Sequence, residues 1–386
     1  MRIRDSIFGD LLKPIRRRQF DTTVERYDGD AYDKSFRSRD HLVVLIYAQL
    51  GGLDSLRGIE AGFNASARYY RLNVGEIARS TLSDANARRP PEVFAQIFTM
   101  LAREADRRTL QEGAVMVRLI DASPIPLGKL CEWAKWNGRI RGMKMHVVYD
   151  PKSDVPRCVE ITPATVNDVE IGRQVAIEAG TTYVFDKGYY HFGWWKKIND
   201  CNAFFVTRPK TNMRLRAKGF RPMQHRLGEG FTIIDDAEVA LVSKGDSRLP
   251  IPLRRIRVKR DKGGTITLLT NDLARTPVEI AALYKGRWQI ELLFRWIKQH
   301  LGIRKFLGNN DNAIRLQILA AMIAYLLLRI AARVNRIIML PLRFAELISQ
   351  FLFARRAIAR IDQLQTANPS KRKKQAAPGQ IGVCYG

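Results

Sequence analysis

The chain has 386 residues, of which 46% are hydrophobic, so it is long enough for two or three packed units and too apolar to be disordered throughout. Its 65 Lys and Arg residues face 38 Asp and Glu residues, and the formal net charge of +27 favours a polyanionic partner such as DNA or RNA. A basic ribosome-associated protein and a protein of membrane surfaces are the alternatives that charge alone leaves open.

Cysteine usage and apolar runs narrow the class of protein further. No apolar stretch typical of a signal peptide follows the basic N-terminus. The most apolar run, residues 318–328, is too short for a bilayer, which needs about 20 residues, so we interpret it as a buried core helix and expect no membrane partner. The four cysteines contain no CxxC pair and indicate a reducing compartment without a zinc site or disulfide framework: Cys131, Cys158, Cys201 and Cys384.

Residues 1–112 predict a helical N-terminal DNA-binding domain. Its last predicted helix is a candidate for reading DNA, although a plain exposed basic helix fits the same residues nearly as well, because none of them shows a base-specific pattern. The predicted helices cover residues 41–50, 55–63 and 80–88. The cations that we predict to contact DNA are Arg79, Arg88 and Arg89.

Residues 113–207 predict the first part of an α/β catalytic domain. Three strands in succession, followed by helix, strand and helix, indicate a mixed sheet flanked by helices. Two of these strands end in an acid, Asp121 and Asp186. The predicted strands cover residues 114–121, 143–149, 157–162 and 182–186, and the predicted helix between the last two covers residues 168–179.

Residues 208–272 predict a β insertion within this domain, and residues 273–308 carry a long helix. Thr276, Pro277 and Glu279 match the cap, first-turn proline and third-position glutamate of a helix start. We expect this helix to run to about Leu301, where Gly302 can end it. The β-like runs of the insertion and the residues just before it are 203–207, 231–242, 250–258 and 265–270.

Residues 309–366 predict a C-terminal helical region, with helices over residues 312–337 and 343–364. These helices are candidates for dimerisation, although packing within one chain would explain their apolar faces as well. Residues 367–386 contain the run Lys-Arg-Lys-Lys and predict a basic, disordered tail that adds nonspecific attraction to phosphates.

Three acids carry the predicted chemistry: Asp121, Asp186 and Glu291, the last inside the long helix. Acids at strand ends cost folding free energy unless they face water, a cation or a partner, and two of them in one sheet favour a divalent cation. Hard oxygen ligands suit Mg²⁺ or Mn²⁺. Taken singly, each acid is better explained as a turn aspartate or as a helical glutamate paired with a nearby arginine.

The long helix adds a pattern of its own. On an ideal helix Tyr284, Arg287, Glu291 and Lys298 fall within one stripe about 60° wide, next to an apolar face that would pack on the sheet. An acid in this stripe can hold metal, while Arg and Lys can hold phosphate oxygens. A solvated charged stripe is the alternative explanation.

The spacing Tyr284-x₂-Arg287-x₃-Glu291-x₆-Lys298 resembles the YREK signature of insertion-sequence transposases of family four. The sequences around Asp121 and Asp186, and residues 8–12 and 79–86, resemble the same family. The resemblance covers nearly the whole chain and is weakest in the β insertion and the tail.

This resemblance implies a ribonuclease-H-like fold with an Asp-Asp-Glu triad of Asp121, Asp186 and Glu291. Two Mg²⁺ or Mn²⁺ ions per active site would activate water or a 3′ hydroxyl and stabilise the leaving oxygen. It implies cut-and-paste transposition by a homodimer on paired terminal inverted repeats: nicking, hairpin formation and resolution, then joining to target double-stranded DNA. The expected location is the prokaryotic cytoplasm, at the nucleoid. The residues expected to contact DNA in the cleft are Tyr284, Arg287, Lys298 and Lys187.

Related enzymes hold a flipped base with a tryptophan of the β insertion, and this chain has none between residues 196 and 287. Phe220, His225 and Phe231 are the candidates for that role here. For the remaining aromatic and histidine residues we favour a structural role over DNA contact or proton transfer: Trp133, Trp136, Trp194, Trp195, His146 and His191.

Two other functions remain open from the sequence. One is a nuclease of the same fold that cleaves nucleic acid and joins nothing. The other is a DNA-binding protein without catalysis, such as a transposition inhibitor or a decayed copy, although the complete triad argues against decay.

Overall fold

The computed structural model describes residues 6–31, 33, 35–70, 72–107, 116–223, 226–241, 250–300, 305–339, 341–355 and 357–361. Several predicted features lie outside these residues, among them the ends of two strands and of the long helix, His225, Cys384 and residues 362–386. The N-terminal region is helical, as predicted. Its helices are α1 Ile7–Leu12, α2 Arg17–Arg26, α3 Ser38–Leu50, α4 Leu56–Tyr70, α5 Arg79–Arg88 and α6 Pro91–Arg107.

The mixed sheet predicted from the sequence is present. Strands β1 Val117–Pro126, β2 Gly142–Asp150 and β3 Val155–Pro163 form an antiparallel meander. Strands β4 Thr182–Phe185 and β5 Phe204–Thr207 then run parallel to β1, giving the order β3-β2-β1-β4-β5. This is a ribonuclease-H-like arrangement. The predicted end of the first strand at Asp121 is wrong, because β1 continues to Pro126 by pairing with β2, whereas its parallel pairing with β4 stops at Ile120.

The β insertion continues the sheet. The added strands are β6 Leu215–Phe220, β7 Leu227–Gly228, β8 Phe231–Leu241, β9 Leu253–Arg260 and β10 Thr265–Thr270. Strand β10 pairs antiparallel with β5, so the order runs on from β5 through β10, β9 and β8 to β6, with β7 beside β8. The described strands thus form one ten-stranded sheet.

Helices cover both faces of this sheet. On one face, helices α7 Asp168–Gly172 and α8 Phe192–Asp200 cover an aromatic cluster in which Trp194 and Trp195 are at most 2% exposed, so the predicted core role of this pair is confirmed. On the other face lie α9 Pro277–Gly286, α10 Trp288–His300 and α11 Asp311–Val334.

Helix α11 is the centre of the larger core. It contacts α3 and α6 of the N-terminal region as well as α10, β3 and α12 Pro341–Gln350. By length and composition α11 could cross a membrane, but 83% of its most apolar window is buried inside the protein. Its apolar surface is therefore used by the neighbouring helices and the sheet, in agreement with the predicted core helix.

The long helix predicted to start at Thr276 has the expected cap but is interrupted. Thr276 and Glu279 form the reciprocal capping box, yet the helix stops at Gly286 and resumes at Trp288. Around the break the N–H of Arg287 bonds the carbonyl of Tyr284, a bond that spans three residues. The break coincides with Gly286, a residue of low helix propensity, and with Arg287, whose side chain contacts Asp121 and Glu291. Positions on either side of the break therefore do not follow the ideal 100° spacing.

Two other predicted helices are shorter than expected. The predicted helix 168–179 ends as α7 at Gly172, where an added Cβ would lie 2.8 Å from the Tyr189 ring, and Tyr183 then bonds backbone groups of Ala176 and Glu178. The predicted helix 343–364 ends as α12 at Gln350. There the carbonyls of residues 352 and 354 accept hydrogen bonds from the first turn of α1. Tertiary contacts override the local helix pattern in both places.

Candidate active site

Asp121 and Asp186 are neighbours at one edge of the sheet. Ile120 of β1 stands opposite Phe185 of the parallel strand β4, so the two acids follow next on adjacent strands. Asp121 accepts a hydrogen bond from the N–H of Ala122 at 2.9 Å. Asp186 caps a short 3-10 turn by accepting from the N–H of Gly188. Local backbone bonds thus fix the orientation of both carboxylates.

Glu291 approaches the same edge from above. It lies in the first turn of α10, which packs against β1. Arg287, in the break before α10, bridges the two elements: its guanidinium donates to Asp121 at 3.3 Å and to Glu291. The side chains of Asp121, Arg287 and Glu291 are 20%, 19% and 31% exposed. The cleft is therefore partly shielded from water yet open on one side.

Burial, together with the charges of Asp186 and Glu291, raises the pKa of Asp121 to about 6 against the opposing effects of the Ala122 N–H and Arg287. Carboxylates that repel one another in a shielded site favour an added positive charge. Burial likewise raises the pKa of the Tyr284 phenol, which therefore stays protonated at neutral pH.

The donor set fits a hard divalent cation, since three carboxylates supply oxygen ligands. Within the described residues, no three His, Cys, Asp or Glu side chains stand close enough together to hold a metal ion. Arg287 stands between Asp121 and Glu291 and supplies the positive charge there. The residues therefore match a metal site in chemistry, with a guanidinium in the position where the cation would be needed.

Other cations surround these acids. Lys298 of α10 donates to the carbonyl of Pro124 on β1 at 2.7 Å, and Lys187 is exposed directly after Asp186. Arg208 was missed by the sequence interpretation: it is exposed just beyond β5, where the register places it beside Asp186, and its charge acts on Tyr284. The sequence does contain a signal for this residue, since Arg208 directly follows the strand predicted over residues 203–207.

A cavity of about 410 Å³ lies between the β insertion and the α9–α10 junction. Its lining is mostly apolar and includes Tyr284, Arg287 and Trp288, the last 50% exposed. Trp288 lies one residue beyond the interval 196–287, in which the sequence has no tryptophan, and the sequence interpretation missed it. Of the candidates for holding a base, Phe231 lines this cavity but is only 5% exposed, and Phe220 is 70% exposed and lies outside its lining.

The predicted DNA contacts of the N-terminal region divide into two kinds. Arg79 and Arg88 are exposed at the two ends of α5. Arg89 is 4% exposed and donates hydrogen bonds to Asp33 and to the carbonyls of Phe36 and Arg37. The prediction for Arg89 is therefore corrected: its guanidinium satisfies buried acceptors and is not presented to DNA.

The two histidines near the sheet are structural, as favoured from the sequence. His146 is buried and hydrogen-bonded to Thr162 at 2.8 Å. His191 caps α8 by accepting from the N–H of Trp194. Trp133 and Trp136, by contrast, are 41% and 61% exposed, so ordinary packing does not account for them.

A ribonuclease-H-like sheet with one aspartate on β1, a second directly after β4 and a glutamate on the helix packed against β1 defines a class of proteins built for phosphoryl transfer on nucleic acid. The family model described as "Transposase DDE domain" matches residues 115–327, more than half of the chain. The chain belongs to the DDE transposase family, whose members act on DNA. A second family model, described as a domain of unknown function (DUF4372), matches residues 4–71.

Relatives with transposase names support the same family. The chain is 65% identical over 304 residues to the protein y4zB of Sinorhizobium fredii, named as a transposase, across 79% of this chain and 85% of that protein. It is 28% identical over 254 residues to the named transposase of insertion sequence element IS5377 of Geobacillus stearothermophilus, across 65% and 66% of the two chains. It is 27% identical over 278 residues to that of element IS4SA of Synechocystis, across 68% and 75%.

Proposed function

We propose that this DDE transposase moves its own insertion sequence by a metal-dependent cut-and-paste reaction. The steps are nicking at the element ends, hairpin formation and resolution, and joining of the freed ends to target DNA. We assign catalysis to Asp121, Asp186 and Glu291. The observation that carries this proposal is that Arg287 joins Asp121 to Glu291 at one edge of a ribonuclease-H-like sheet, with Asp186 following the strand next to Asp121.

Two Mg²⁺ ions, or Mn²⁺, held by the three carboxylates would supply Lewis-acid chemistry at the scissile phosphate. The carboxylates of Asp121 and Asp186 are oriented for such a role by backbone N–H groups before any ligand arrives. Arg287 keeps Asp121 and Glu291 together and offers a guanidinium that matches phosphate oxygens in geometry.

Cations next to the acids would hold the DNA strand. Lys298, Lys187 and Arg208 lie around the acidic site and are assigned to backbone phosphates. Tyr284 would donate a hydrogen bond from its phenol to a phosphate oxygen, because burial raises its pKa and the phenol stays protonated. We assign the cavity beside Trp288 to a base taken out of the helix, since an apolar floor and an exposed indole suit a stacked base.

We assign recognition of terminal inverted repeats to α5, through Arg79 and Arg88, because this exposed helix carries a cation at each end. We further propose that a homodimer pairs the two ends through the C-terminal helices, where Val334 and Leu342 are 56% and 40% exposed. The expected location is the prokaryotic cytoplasm at the nucleoid, since the net charge of +27 favours DNA.

The test is cleavage of a labelled duplex that carries the element's end, with Mg²⁺ and with EDTA, by the wild type and by Glu291→Gln. We expect the wild type to nick at the end only with Mg²⁺, and the variant to bind the duplex without cutting it. Hairpin products would identify the cut-and-paste route. Cutting that persists in the variant or in EDTA would show the catalytic assignment to be wrong.

The same assay separates the alternatives. A wild type that cuts but never joins a supplied 3′ end to target DNA would be a nuclease of this fold. A wild type that binds the end and never cuts would be a DNA-binding inhibitor or a decayed copy.

A further inference from the structure

The β1–β2 hairpin tip, defined here as residues 128–141, presents large apolar side chains to solvent. Leu130, Trp133 and Trp136 are 76%, 41% and 61% exposed, whereas Cys131 and Ala134 of the same segment are buried. The tip is thus folded onto the core by its small residues, with its tryptophans outside. Clustered exposed aromatic residues of this kind mark an interaction site.

The tip is also strongly basic. Its exposed charges comprise four cations and one acid: Lys129, Lys135, Arg139, Arg141 and Glu132. Among the residues that the structure describes, none of the four cations has an ion-pair partner. Free cations interleaved with exposed indoles suit nucleic acid, because cations bind phosphates while indoles contact bases and sugars.

A chain of hydrogen bonds connects the tip to α5. The indole N–H of Trp133 donates to the carbonyl of Asn309 at 2.6 Å, one residue before Asn310 caps α11. From the first turn of α11, the side-chain amide of Asn312 donates to the carbonyl of Arg89, directly after the last residue of α5. The tip and the C-terminal end of α5 therefore meet at the start of α11.

We propose that the hairpin tip and α5 form one continuous DNA-binding surface, and that the tip contacts the same duplex as α5, the end of the element. Trp136, the more exposed of the two tryptophans, makes the base or sugar contact. The four cations of the tip bind the flanking phosphates. This inference rests on the proposed function, which assigns recognition of element ends to α5.

The charge of the chain argues against the other occupants. A second copy carries the same net charge of +27 and would oppose the basic tip with like charge. The hydrogen bonds through Asn309 and Asn312 hold the tip beside α5. The proposed function assigns the element's end, and not target DNA, to that helix. The element's end is thus the occupant that both the charge and the position favour.

The experiment uses the full chain in EDTA, which prevents cutting, and a fluorescently labelled duplex that carries the terminal inverted repeat. Anisotropy gives the dissociation constant. We expect Trp136→Ala to weaken binding about tenfold, in the range seen for loss of one base–aromatic contact, and Trp136→Phe to restore most of it. Leu227→Ala is the matched control, since Leu227 on β7 is 79% exposed and lies outside the tip. Footprinting should show that the base pairs losing protection in Trp136→Ala adjoin those lost in Arg88→Ala.

Binding of Trp136→Ala to the end within twofold of the wild type, while the wild type binds and cuts the end, overturns this inference and leaves the proposed function standing. The inference is equally overturned if Trp136→Ala impairs only joining to target DNA, or changes only the sedimentation of the free protein. A wild type that does not distinguish the end from an unrelated duplex overturns both the recognition assigned to α5 and the inference that rests on it.

Discussion

Arg287 donates a hydrogen bond to Asp121 across 3.3 Å, although the two residues are 166 positions apart in the chain. The same guanidinium bonds Glu291, one turn further along α10. A single side chain therefore ties α10 to β1 and places a positive charge between two carboxylates. In a shielded site such a cation offsets the repulsion between acids that would otherwise oppose folding.

Replacing Arg287 by glutamine should destabilise the protein when metal is absent. We expect the free energy of unfolding in EDTA to fall by about 1–3 kcal/mol, because Asp121 and Glu291 lose the donor that satisfies them. Adding Mg²⁺ should recover part of the loss, since a cation that binds only the folded state stabilises it. Urea unfolding measures both effects. Arg103→Gln, at an exposed position of α6, is the control, and equal stability of Arg287→Gln and the wild type in EDTA would contradict the bridging role.

The sequence was sufficient to predict which strands carry the acids. Because β1 and β4 are parallel, Asp121 and Asp186 lie side by side as their strand-like runs predict, although β1 continues to Pro126 instead of ending at Asp121. The cap at Thr276 also predicts where α9 begins, although Glu291 lies on the next helix, α10. Both inferences depend on local patterns, which the surrounding protein did not override.

Features that depend on distant partners could not be predicted. The helix break at Arg287 accompanies contacts with Asp121 on β1, which no spacing within residues 276–301 reveals. The burial of Arg89 depends on Asp33, 56 positions away, so a basic helix end was taken for a DNA contact. The β insertion joins the main sheet through pairing of β10 with β5, a long-range register that alternation within each strand does not encode.

Trp288 offers a test of the cavity beside the active site. Because its indole is half exposed and lines an apolar cavity, we expect Trp288→Ala to slow cleavage of the element's end by about tenfold, in line with loss of one base–aromatic contact. Single-turnover cleavage measures the rate. Phe220→Ala should cut at the wild-type rate, since Phe220 is exposed but outside the cavity. Equal cleavage rates for the two variants would show that no base binds in this cavity.

A buried arginine of the β insertion forms an ion pair within the insertion and links it to the segment before α9. Arg254 of β9 pairs with Asp236 of β8 at 2.7 Å, both 1% exposed, and also donates to the carbonyls of Asp272 and Arg275 just before α9. Arg254→Ala should lower the free energy of unfolding by about 3–5 kcal/mol, because Asp236 is left as a buried, unpaired charge.

A neighbouring pair provides the matched comparison for Arg254. Arg257, also on β9, pairs with Asp235 at 3.0 Å, but its side chain is 45% exposed. Arg257→Ala should therefore cost only about 0–1 kcal/mol. Chemical unfolding of the two variants decides the matter, and similar losses would mean that burial does not set the contribution of these pairs.

His41 predicts how stability depends on pH. It is fully buried in α3 and hydrogen-bonded to Asn86 at 2.8 Å, and burial, helped by the charge of Arg89, lowers its pKa to about 3. Above about pH 6.5 the histidine is neutral in both states and adds no pH dependence. Between about pH 6.5 and 3 the unfolded chain binds a proton that the folded chain does not. The free energy of unfolding therefore decreases by about 1.4 kcal/mol for each unit by which the pH is lowered.

His41→Gln should remove this contribution, because glutamine does not titrate and can still bond the Asn86 amide. His146, whose pKa burial lowers to about 4, adds a slope of its own in both proteins, so the result is the difference between the wild type and the variant. Urea unfolding at several pH values from 7.5 to 4.5 should give curves that diverge as the pH falls, with the wild type losing stability faster. Parallel curves would mean that His41 is charged, or exchanges with solvent, in the folded protein.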